Sequence, residues 1–301
     1  MPTVARITNK HELMLSGKLI EEIPMPDPVF ERNSVSYLPD GTAIPVSQPC
    51  FTEGISRHGI LLSEGTVNIF PYSSSFEECY GEHVGNAEEE NTVTTEIGGG
   101  WAVSTHYNTA TIRVANDGGY HGTKSVMFIH DGSSGWKGLY TTSEWQAEAG
   151  KTYTISVWAR ANRESQEHFM SGYAFYSAKR QLAFTWPDGT PLQNPGRWVR
   201  GVCTFSLDAT DSGRVYLYGV SNGEDGLVLE YDAVMLEEKP YATVYHPDTR
   251  LDDVLSIPTE NVLHPDEGSI EFWCKPLVLH SWNSFFHMPL KNGRFVLLFS
   301  T

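Results

Sequence analysis

The chain has 301 residues, of which 40% are apolar and 12% aromatic, and it contains 27 Gly and 17 Pro. This composition is typical of an ordered, turn-rich protein with one large or two modest domains, and it excludes a disordered chain. The formal net charge of −16 repels a polyphosphate backbone, so we expect no nucleic-acid partner. No stretch approaches the roughly 18 apolar residues of a membrane span, so we expect no membrane insertion.

The first 67 residues combine short extended runs with many prolines. Closely spaced prolines forbid a long helix and favour an extended arm that docks on a partner. Within this arm, His11–Glu22 is compatible with about two helical turns. The closely spaced prolines are Pro24, Pro26, Pro28, Pro39, Pro45 and Pro49.

Residues 68–250 repeat strand-like segments separated by turn residues such as Asp117-Gly118. In Lys151–Arg160, apolar residues alternate with Thr154, Ser156 and Trp158, which is a period of two. This alternation predicts a half-buried strand with Trp158 on the less apolar face. Many short strands at such spacing predict a mostly β chain with an antiparallel β-sandwich of jelly-roll type. Similar alternation occurs in Ser125–His130, Ser171–Ser177, Trp198–Phe205, Arg214–Val220 and Leu227–Leu236.

Residues 251–301 carry two further strand signals, at Gly268–Pro276 and Gly293–Ser300. Two strands cannot close a sandwich of their own. They therefore complete the preceding domain, complete the fold of a partner chain, or belong to a longer protein.

The four cysteines lie far apart in the sequence and form no C-x-x-C pair. This spacing indicates neither a zinc knuckle nor a redox motif. We expect Cys50, Cys79, Cys203 and Cys274 to be buried, reduced thiols.

Three segments of the sequence have an order of residues that is specific enough to suggest a resemblance. Residues 37–68 contain QPCFTEGISRHGILLSEGTVN, and residues 227–250 read LVLEYDAVMLEEKPYATVYHPDTR. The third phrase is GSIEFWCKP at 268–276. The first resembles the lead-in of phage tail and virion structural proteins, and residues 68–250 resemble a jelly-roll carbohydrate-binding module of the family 4/9 type, with 68–78 as its first strand. The third phrase resembles the start of a laminin-G or concanavalin-like sandwich, here a partial segment over 251–301.

This resemblance implies a non-enzymatic virion protein, such as a tail fibre, a tail-associated protein or a capsid decoration protein. It implies synthesis in the host cytoplasm and residence at the tail or capsid surface. The partners would be other virion proteins, bound through residues 1–67, host-surface polysaccharide, bound by the jelly roll, and further copies in a homo-oligomer. A decoration or connector protein without glycan binding remains the alternative, and a polysaccharide depolymerase is less favoured.

The resemblance also implies a structural calcium ion. Modules of this kind often hold Ca²⁺ between a carboxylate after the first strand and one on the last strand, with main-chain oxygens as further ligands. Glu77 and Asp232 match those two positions, and Lys124 lies in the segment whose carbonyls would contribute. Solvated edge charges are the alternative interpretation of both carboxylates.

A glycan site needs aromatic faces beside polar groups, because pyranose rings offer both apolar faces and hydroxyls. Trp158 is the first candidate, since the other face of its strand already supplies the apolar set, and Arg160 is its polar neighbour. Core packing is the alternative role for each aromatic candidate. The remaining candidates are Trp136, Tyr173, Phe175 and Tyr218.

Catalysis has weaker support in the sequence. Glu230 and Asp232 place two carboxylates on one face of a strand, as in sandwich-fold glycosidases. Met235 and Leu236 stand where a third carboxylate is expected, and the chain has no H-E-x-x-H or G-x-S-x-G motif. We therefore expect no enzymatic activity.

Overall fold

The computed structural model describes most of the chain from residue 64 to residue 256 and shorter segments on either side of it. Within the described part, regular structure is β apart from one short 3-10 helix, Pro191–Gln193. No helix there is long and apolar enough to cross a membrane. The described residues are 13–15, 18–20, 29–33, 35–37, 43–46, 50–52, 59–61, 64–84, 95–106, 111–133, 136–166, 173–174, 182–220, 223–256, 283–290 and 293–299.

The strands are short before residue 95 and longest in the middle of the chain. In chain order they are β1 Leu13–Leu15, β2 Lys18–Ile20, β3 Val29–Glu31, β4 Ser36–Tyr37, β5 Ala43–Ile44, β6 Cys50–Thr52, β7 Gly59–Leu61, β8 Thr66–Val67, β9 Glu82–Val84, β10 Thr95–Gly98, β11 Trp101–His106, β12 Thr111–Ala115, β13 Ser125–Ile129, β14 Trp136–Thr141, β15 Trp145–Ala147, β16 Thr152–Ala161, β17 Tyr173–Ala174, β18 Leu182–Ala183, β19 Val199–Ser206, β20 Asp211–Gly213, β21 Val215–Tyr218, β22 Val228–Glu237, β23 Thr249–Arg250, β24 Val254–Ser256, β25 Asn283–Leu290 and β26 Gly293–Phe299.

The chain divides into two compact units, one of residues 1–29 with 256–301 and one of residues 30–255. In the first unit, β1 pairs with β2 and β25 pairs with β26, both antiparallel. The prediction of helical turns over His11–Glu22 is therefore wrong, and Gly17, a poor helix former, is the sequence feature against it. The strand predicted at Gly293–Ser300 is confirmed as β26, whereas Gly268–Pro276 lies outside the described residues.

The second unit contains two six-stranded antiparallel sheets. Sheet I has the order β10-β11-β14-β21-β17-β18, and sheet II has the order β19-β16-β22-β13-β12-β9. The chain crosses between the sheets repeatedly, since β13, β16, β19 and β22 belong to sheet II while β14, β17 and β21 belong to sheet I. The predicted antiparallel β-sandwich is confirmed, and the repeated crossing between sheets agrees with the jelly-roll type.

The core lies between the inner faces of the two sheets. Sheet I contributes Trp101, Leu139 and Leu217, each fully buried, and sheet II contributes residues such as Phe128 and Ile155. Because side chains alternate along a strand, every second residue of each strand faces away from this core. The two outer faces carry the residues that concern function.

Strand β16 follows the predicted alternation. Tyr153, Ile155 and Val157 belong to the core cluster, whereas Trp158 packs with a second, separate cluster on the outer face of sheet II. The prediction that Trp158 lies on the opposite face from the apolar set is confirmed. The other predicted strands correspond to β13, β17, β19, β21 and β22, although only Tyr173–Ala174 is described in the segment 171–177.

The segment 68–78 is not the first strand that the resemblance implied. It consists of turns and irregular backbone, and no strand ladder joins it to β22. Isolated backbone bonds, such as Ile69 N–H to Leu236 O and Val234 N–H to Ser74 O, connect the two, together with bonds of the Asn68 side chain. Asn68 explains part of this, because its Oδ1 accepts from the main-chain N–H of both Phe70 and Leu236. The expectation of a strand here is wrong because side-chain and turn hydrogen bonds replace a ladder.

Strand β22, in the middle of sheet II, contains a β-bulge. Ser156 pairs with Met235 and Trp158 pairs with Asp232, so β22 has one residue more than β16 in this interval. Ala233 takes a positive φ of 52°, which non-glycine residues rarely adopt. The bulge places Asp232 at an irregular point of an otherwise continuous central strand.

Residues near the two ends of the second unit are joined by a buried ionic cluster. Arg32 and Arg250 both bind Asp253, with Nη2–Oδ2 distances of 2.9 Å in each case. All three side chains are buried. The strands β3 and β24 are hydrogen-bonded neighbours beside this cluster.

Candidate functional site

The outer face of sheet I carries a row of tyrosines. Tyr140 on β14 lies directly opposite Tyr216 on β21, and their rings stack with centroids 5.6 Å apart. Tyr216 also stacks with Tyr218, at 6.1 Å and with ring planes 6° apart. These tyrosines alternate with core residues, so they face away from the sandwich interior. We call Tyr140, Tyr216 and Tyr218 the tyrosine face.

The position of Tyr218 depends on a glycine in the neighbouring strand. Gly138 lies opposite Tyr218, and a Cβ at Gly138 would be 2.8 Å from Cε1 of the Tyr218 ring. The ring therefore occupies the space that a side chain would need. Aromatic residues often cover a strand glycine in this way, so this contact also contributes to the pairing of β14 with β21.

Two more predicted aromatic residues have register positions beside this row. Tyr173 on β17 lies opposite Tyr216, and Trp136 on β14 lies opposite His106. Only their backbone positions are described. Phe175 lies outside the described residues. Sequence reasoning selected Tyr218 but missed Tyr140 and Tyr216, although the alternation of Val215, Tyr216, Leu217 and Tyr218 is the same signal that selected Trp158.

Arg214 lies at the rim of the tyrosine face. Its guanidinium carbon is 5.6 Å from the centroid of the Tyr140 ring, which is within the range of a cation–π contact. Burial raises the pKa of Tyr72, whereas a hydrogen bond with Ser143 and the nearby charge of Arg214 oppose that rise. Tyr72 also lines an open cavity of about 710 Å³ formed mainly by residues 68–78 with 99–100 and 247–248. The rim is therefore more polar than the row itself.

The outer face of sheet II also carries aromatic residues, of which Trp158 is partly buried and the others are buried. Trp158 stacks on Tyr120 with ring centroids 4.1 Å apart and planes 13° apart. Tyr120 is 3% exposed, and Trp198 and Tyr245 are equally enclosed in the same cluster. We call Tyr120, Trp158, Trp198, Met235 and Tyr245 the covered cluster. Trp158 thus occupies a packed position, while its predicted role in glycan binding stays a prediction.

Arg160, predicted as the polar neighbour of Trp158, is held by a carboxylate. Its Nη2 lies 2.6 Å from Oε2 of Glu230 and also donates to the carbonyl of Gly118. Its guanidinium lies over the Trp198 ring at 4.6 Å. Arg160 therefore lies on the outer face of sheet II, whereas the tyrosine face belongs to sheet I.

The two carboxylates of the Glu230-x-Asp232 pattern are both buried and both bonded. Glu230 is 4% exposed and binds Arg160 and the Ser125 hydroxyl. Asp232 is 0% exposed and accepts from the main-chain N–H groups of His121 and Ala233. Neither carboxylate lines the open cavity.

Glu77 and Asp232 bind the same loop from two sides. Glu77 Oε1 accepts from the N–H groups of Thr123 and Lys124, each at 2.7 Å. Burial alone would raise the pKa of Glu77, but these hydrogen bonds bring it below its usual value. Burial raises the pKa of Asp232 well above its usual value, and the negative charge of Glu77 adds to this rise. The two carboxylates are therefore close enough to repel each other.

A main-chain oxygen faces the same space as Asp232. The position of a Cβ at Gly119 would be 2.4 Å from the Lys124 carbonyl oxygen and 3.1 Å from Asp232 Oδ2. Lys124 also donates its Nζ to the carbonyls of Glu77 and Cys79. Two carboxylates and a carbonyl are hard oxygen ligands of the kind that calcium prefers. Among the described residues no group of three or more His, Cys, Asp or Glu side chains is placed to hold a metal.

Two of the four cysteines are described, and both are buried thiols. Burial raises the pKa of Cys79 to about 12 and that of Cys203 to about 11. Such thiols are poor nucleophiles near neutral pH, since the thiolate is the reactive form. Neither has a role in the site.

No family model matches this sequence, and no curated protein matches it. Solved structures give slight matches. The CBM22-1 xylan-binding domain of Xyn10C from Paenibacillus barcinonensis is 12% identical, with a TM-score of 0.32, over 55% of this chain and 94% of that chain. The CBM22-1 and GH10 modules of Clostridium thermocellum Xyn10B, complexed with xylohexaose, are 16% identical, with a TM-score of 0.31, over 62% of this chain and 30% of that chain. The fold assignment therefore depends on the strand topology, and the site assignment depends on the tyrosine face.

Proposed function

We propose that this chain is a non-enzymatic glycan-binding module of a virion surface and that the tyrosine face binds the glycan. The observation that carries the proposal is the row of Tyr140, Tyr216 and Tyr218 on an outer sheet face. Tyrosine rings offer apolar surface to a pyranose and a hydroxyl to its polar groups. Tyr216 and Tyr218 are half-buried and so keep part of each ring accessible, whereas Tyr140 is 8% exposed.

The test is a glycan array and a host-cell pull-down with the whole chain and with Tyr216→Ala. We expect specific binding by the parent protein and a loss of at least about tenfold in affinity for the variant, because a central aromatic residue commonly dominates a binding surface. Tyr80→Ala is the matched control, since Tyr80 is 65% exposed and precedes β9 of sheet II. Circular dichroism verifies the fold of each variant.

A decoration or connector protein without glycan binding is the second candidate. The contact of Tyr218 with Gly138 favours it, because that contact has a structural role of its own. In this case the parent protein binds no glycan and no host cell, yet it associates with virus particles that lack it. The same particle-binding experiment, with antibody labelling in the electron microscope, tests the virion location that the resemblance of residues 37–68 and 227–250 implies.

The absence of enzymatic activity is part of the proposal. Glu230 is bound to Arg160, and Asp232 is enclosed by main-chain donors, so neither carboxylate is available to a glycosidic bond. We expect no new reducing ends when the glycans that bind are incubated with the protein. Product formation that disappears in Glu230→Gln would instead establish a depolymerase.

We further propose a structural calcium ion held by Glu77, Asp232 and the Lys124 carbonyl. Its chemistry would be neutralisation of two neighbouring carboxylates, one of which is fully buried. The ion would tie β22 to the segment after Phe76 and to the loop that contains Gly119.

Calcium removal tests this site. At a calcium concentration of 100 times Kd, binding adds about 2.7 kcal/mol to the free energy of unfolding, so chelator lowers the melting temperature. Asp232→Ala removes the calcium-dependent part, and Glu77→Gln weakens it. Calorimetric titration with calcium gives a second readout. An unchanged melting curve together with no heat of binding would show that the protein has no calcium site here.

A further inference from the structure

Arg214 differs from the other half-buried or buried arginines of the sandwich in its contacts. Arg160 binds Glu230, Arg200 donates to Ser156 and to the Thr243 carbonyl, and Arg250 binds Asp253. Each of these guanidinium groups has oxygen acceptors within the protein. Among the described residues, the Arg214 side chain makes neither a hydrogen bond nor an ion pair; its guanidinium lies over the Tyr140 ring, and its charge also acts on Tyr72.

A guanidinium in this situation is suited to an external anion. Arg214 is half-buried, so part of its hydration is lost, and a charge beside low-dielectric surface interacts more strongly than one in open water. Guanidinium binds a carboxylate through two parallel hydrogen bonds, which fixes the orientation of the anion. A carboxylate of this neighbourhood, Glu144, accepts a hydrogen bond from the Ser212 hydroxyl and, like Arg214, acts on the pKa of Tyr72.

The position of Arg214 relates this cation to the glycan site. The guanidinium lies over Tyr140, and Tyr140 stacks on Tyr216, the central ring of the tyrosine face. A sugar on that row would therefore bring its substituents to the guanidinium. We propose that Arg214 makes the tyrosine face selective for acidic glycans, with the guanidinium binding the carboxylate of a uronic or other acidic sugar. This inference rests on the proposed function.

The charge of the whole protein makes this inference distinguishable from general electrostatic attraction. The net charge of −16 repels an acidic polysaccharide at long range. Any preference for acidic glycans is therefore a local effect of the contact at Arg214. Salt at physiological ionic strength screens the long-range repulsion beyond about 8 Å, so the comparison is made there.

The experiment uses the whole chain and an array in which each polysaccharide backbone is present in its carboxylated and its carboxyl-reduced form. We expect the parent protein to bind the carboxylated form of its glycan about tenfold more tightly, as a charge-assisted hydrogen bond permits. In Arg214→Gln the ratio of the two affinities falls to near one, and in Arg214→Lys it is intermediate because lysine lacks the planar fork.

Arg113→Gln is the matched control. It removes the same charge from the exposed outer side of β12, in sheet II, and should keep the full preference of the parent protein. Equal binding of the two forms by the parent protein, or an unchanged ratio in Arg214→Gln, overturns the inference and leaves the proposed function standing. Binding to neither form of any backbone overturns both.

Discussion

The two outer faces of the sandwich both carry aromatic residues and arginines, but the contacts of these side chains differ between the faces. On sheet II, Trp158 stacks on Tyr120, and Arg160 and Arg200 are bound to oxygens of the protein. On sheet I, Tyr216 stacks with both Tyr140 and Tyr218, and Arg214 has no oxygen acceptor among the described residues. Composition alone therefore does not distinguish the covered cluster from the tyrosine face. The difference lies in whether the arginines have oxygen acceptors among the described residues.

The covered cluster should respond to substitution as a core does. Trp158→Ala is expected to lower the free energy of unfolding by about 3 to 4 kcal/mol, the usual range for removing a large aromatic residue from packing. Urea denaturation measures it, with Trp158→Phe as the control that retains a ring against Tyr120. A loss below about 1 kcal/mol would mean that Trp158 is a surface residue after all and would restore it as a glycan candidate.

Substitution in the ion pair of Arg160 and Glu230 should give the next largest decrease in the free energy of unfolding. Glu230→Gln is expected to lower the free energy of unfolding by about 2 kcal/mol, since it weakens charge-assisted bonds to Arg160 while keeping the shape of the side chain. A double-mutant cycle with Arg160→Gln isolates the pair. Additive losses in the cycle would show that the two side chains act independently.

The tyrosine face should tolerate truncation better. Tyr216→Ala is expected to lower the free energy of unfolding by about 1 kcal/mol, the value of its ring stacking, because its partners remain supported by the sheet. The same denaturation series measures it beside Trp158→Ala. A loss as large as that of Trp158→Ala would show that the row is part of the packing and would favour the decoration candidate.

The smallest effect on stability is expected at Gly138. In Gly138→Ala the new methyl group meets the edge of the Tyr218 ring, which can rotate away, so the free energy of unfolding should change by less than about 1 kcal/mol. Glycan affinity should nevertheless fall, because the ring is displaced. Unchanged affinity on the array would remove Tyr218 from the binding surface and leave Tyr140 and Tyr216 as its centre.

Local pattern predicted much of the fold but less of the site. The alternation in Lys151–Arg160 gave both the strand and the face on which Trp158 lies, because side-chain direction in a strand follows from sequence parity. It could not reveal that Tyr120, 38 positions earlier in numbering, stacks on that ring. The strand expected over 68–78 was wrong because of local contacts. Side chains such as Asn68 and the turns of this segment hydrogen-bond the backbone in place of a neighbouring strand.

Only part of the tyrosine face could be predicted from the sequence. Tyr216 and Tyr218 share a parity within β21, which the sequence shows directly. That Tyr140 lies opposite Tyr216 is a matter of register between distant strands, and no single sequence encodes register in a form that can be read residue by residue. The bulge at Asp232 and Ala233 was hidden for the same reason, because it exists only relative to β16.

The buried cluster of Arg32, Asp253 and Arg250 has a mechanical consequence. It lies where the chain enters and leaves the second unit, beside the pair of β3 and β24. Tension applied along the chain at residues 30 and 255 would load these few ionic bonds and this short ladder before it reached the twelve strands of the two sheets. Force applied at both ends of the second unit would therefore strain this cluster while the two sheets remain intact.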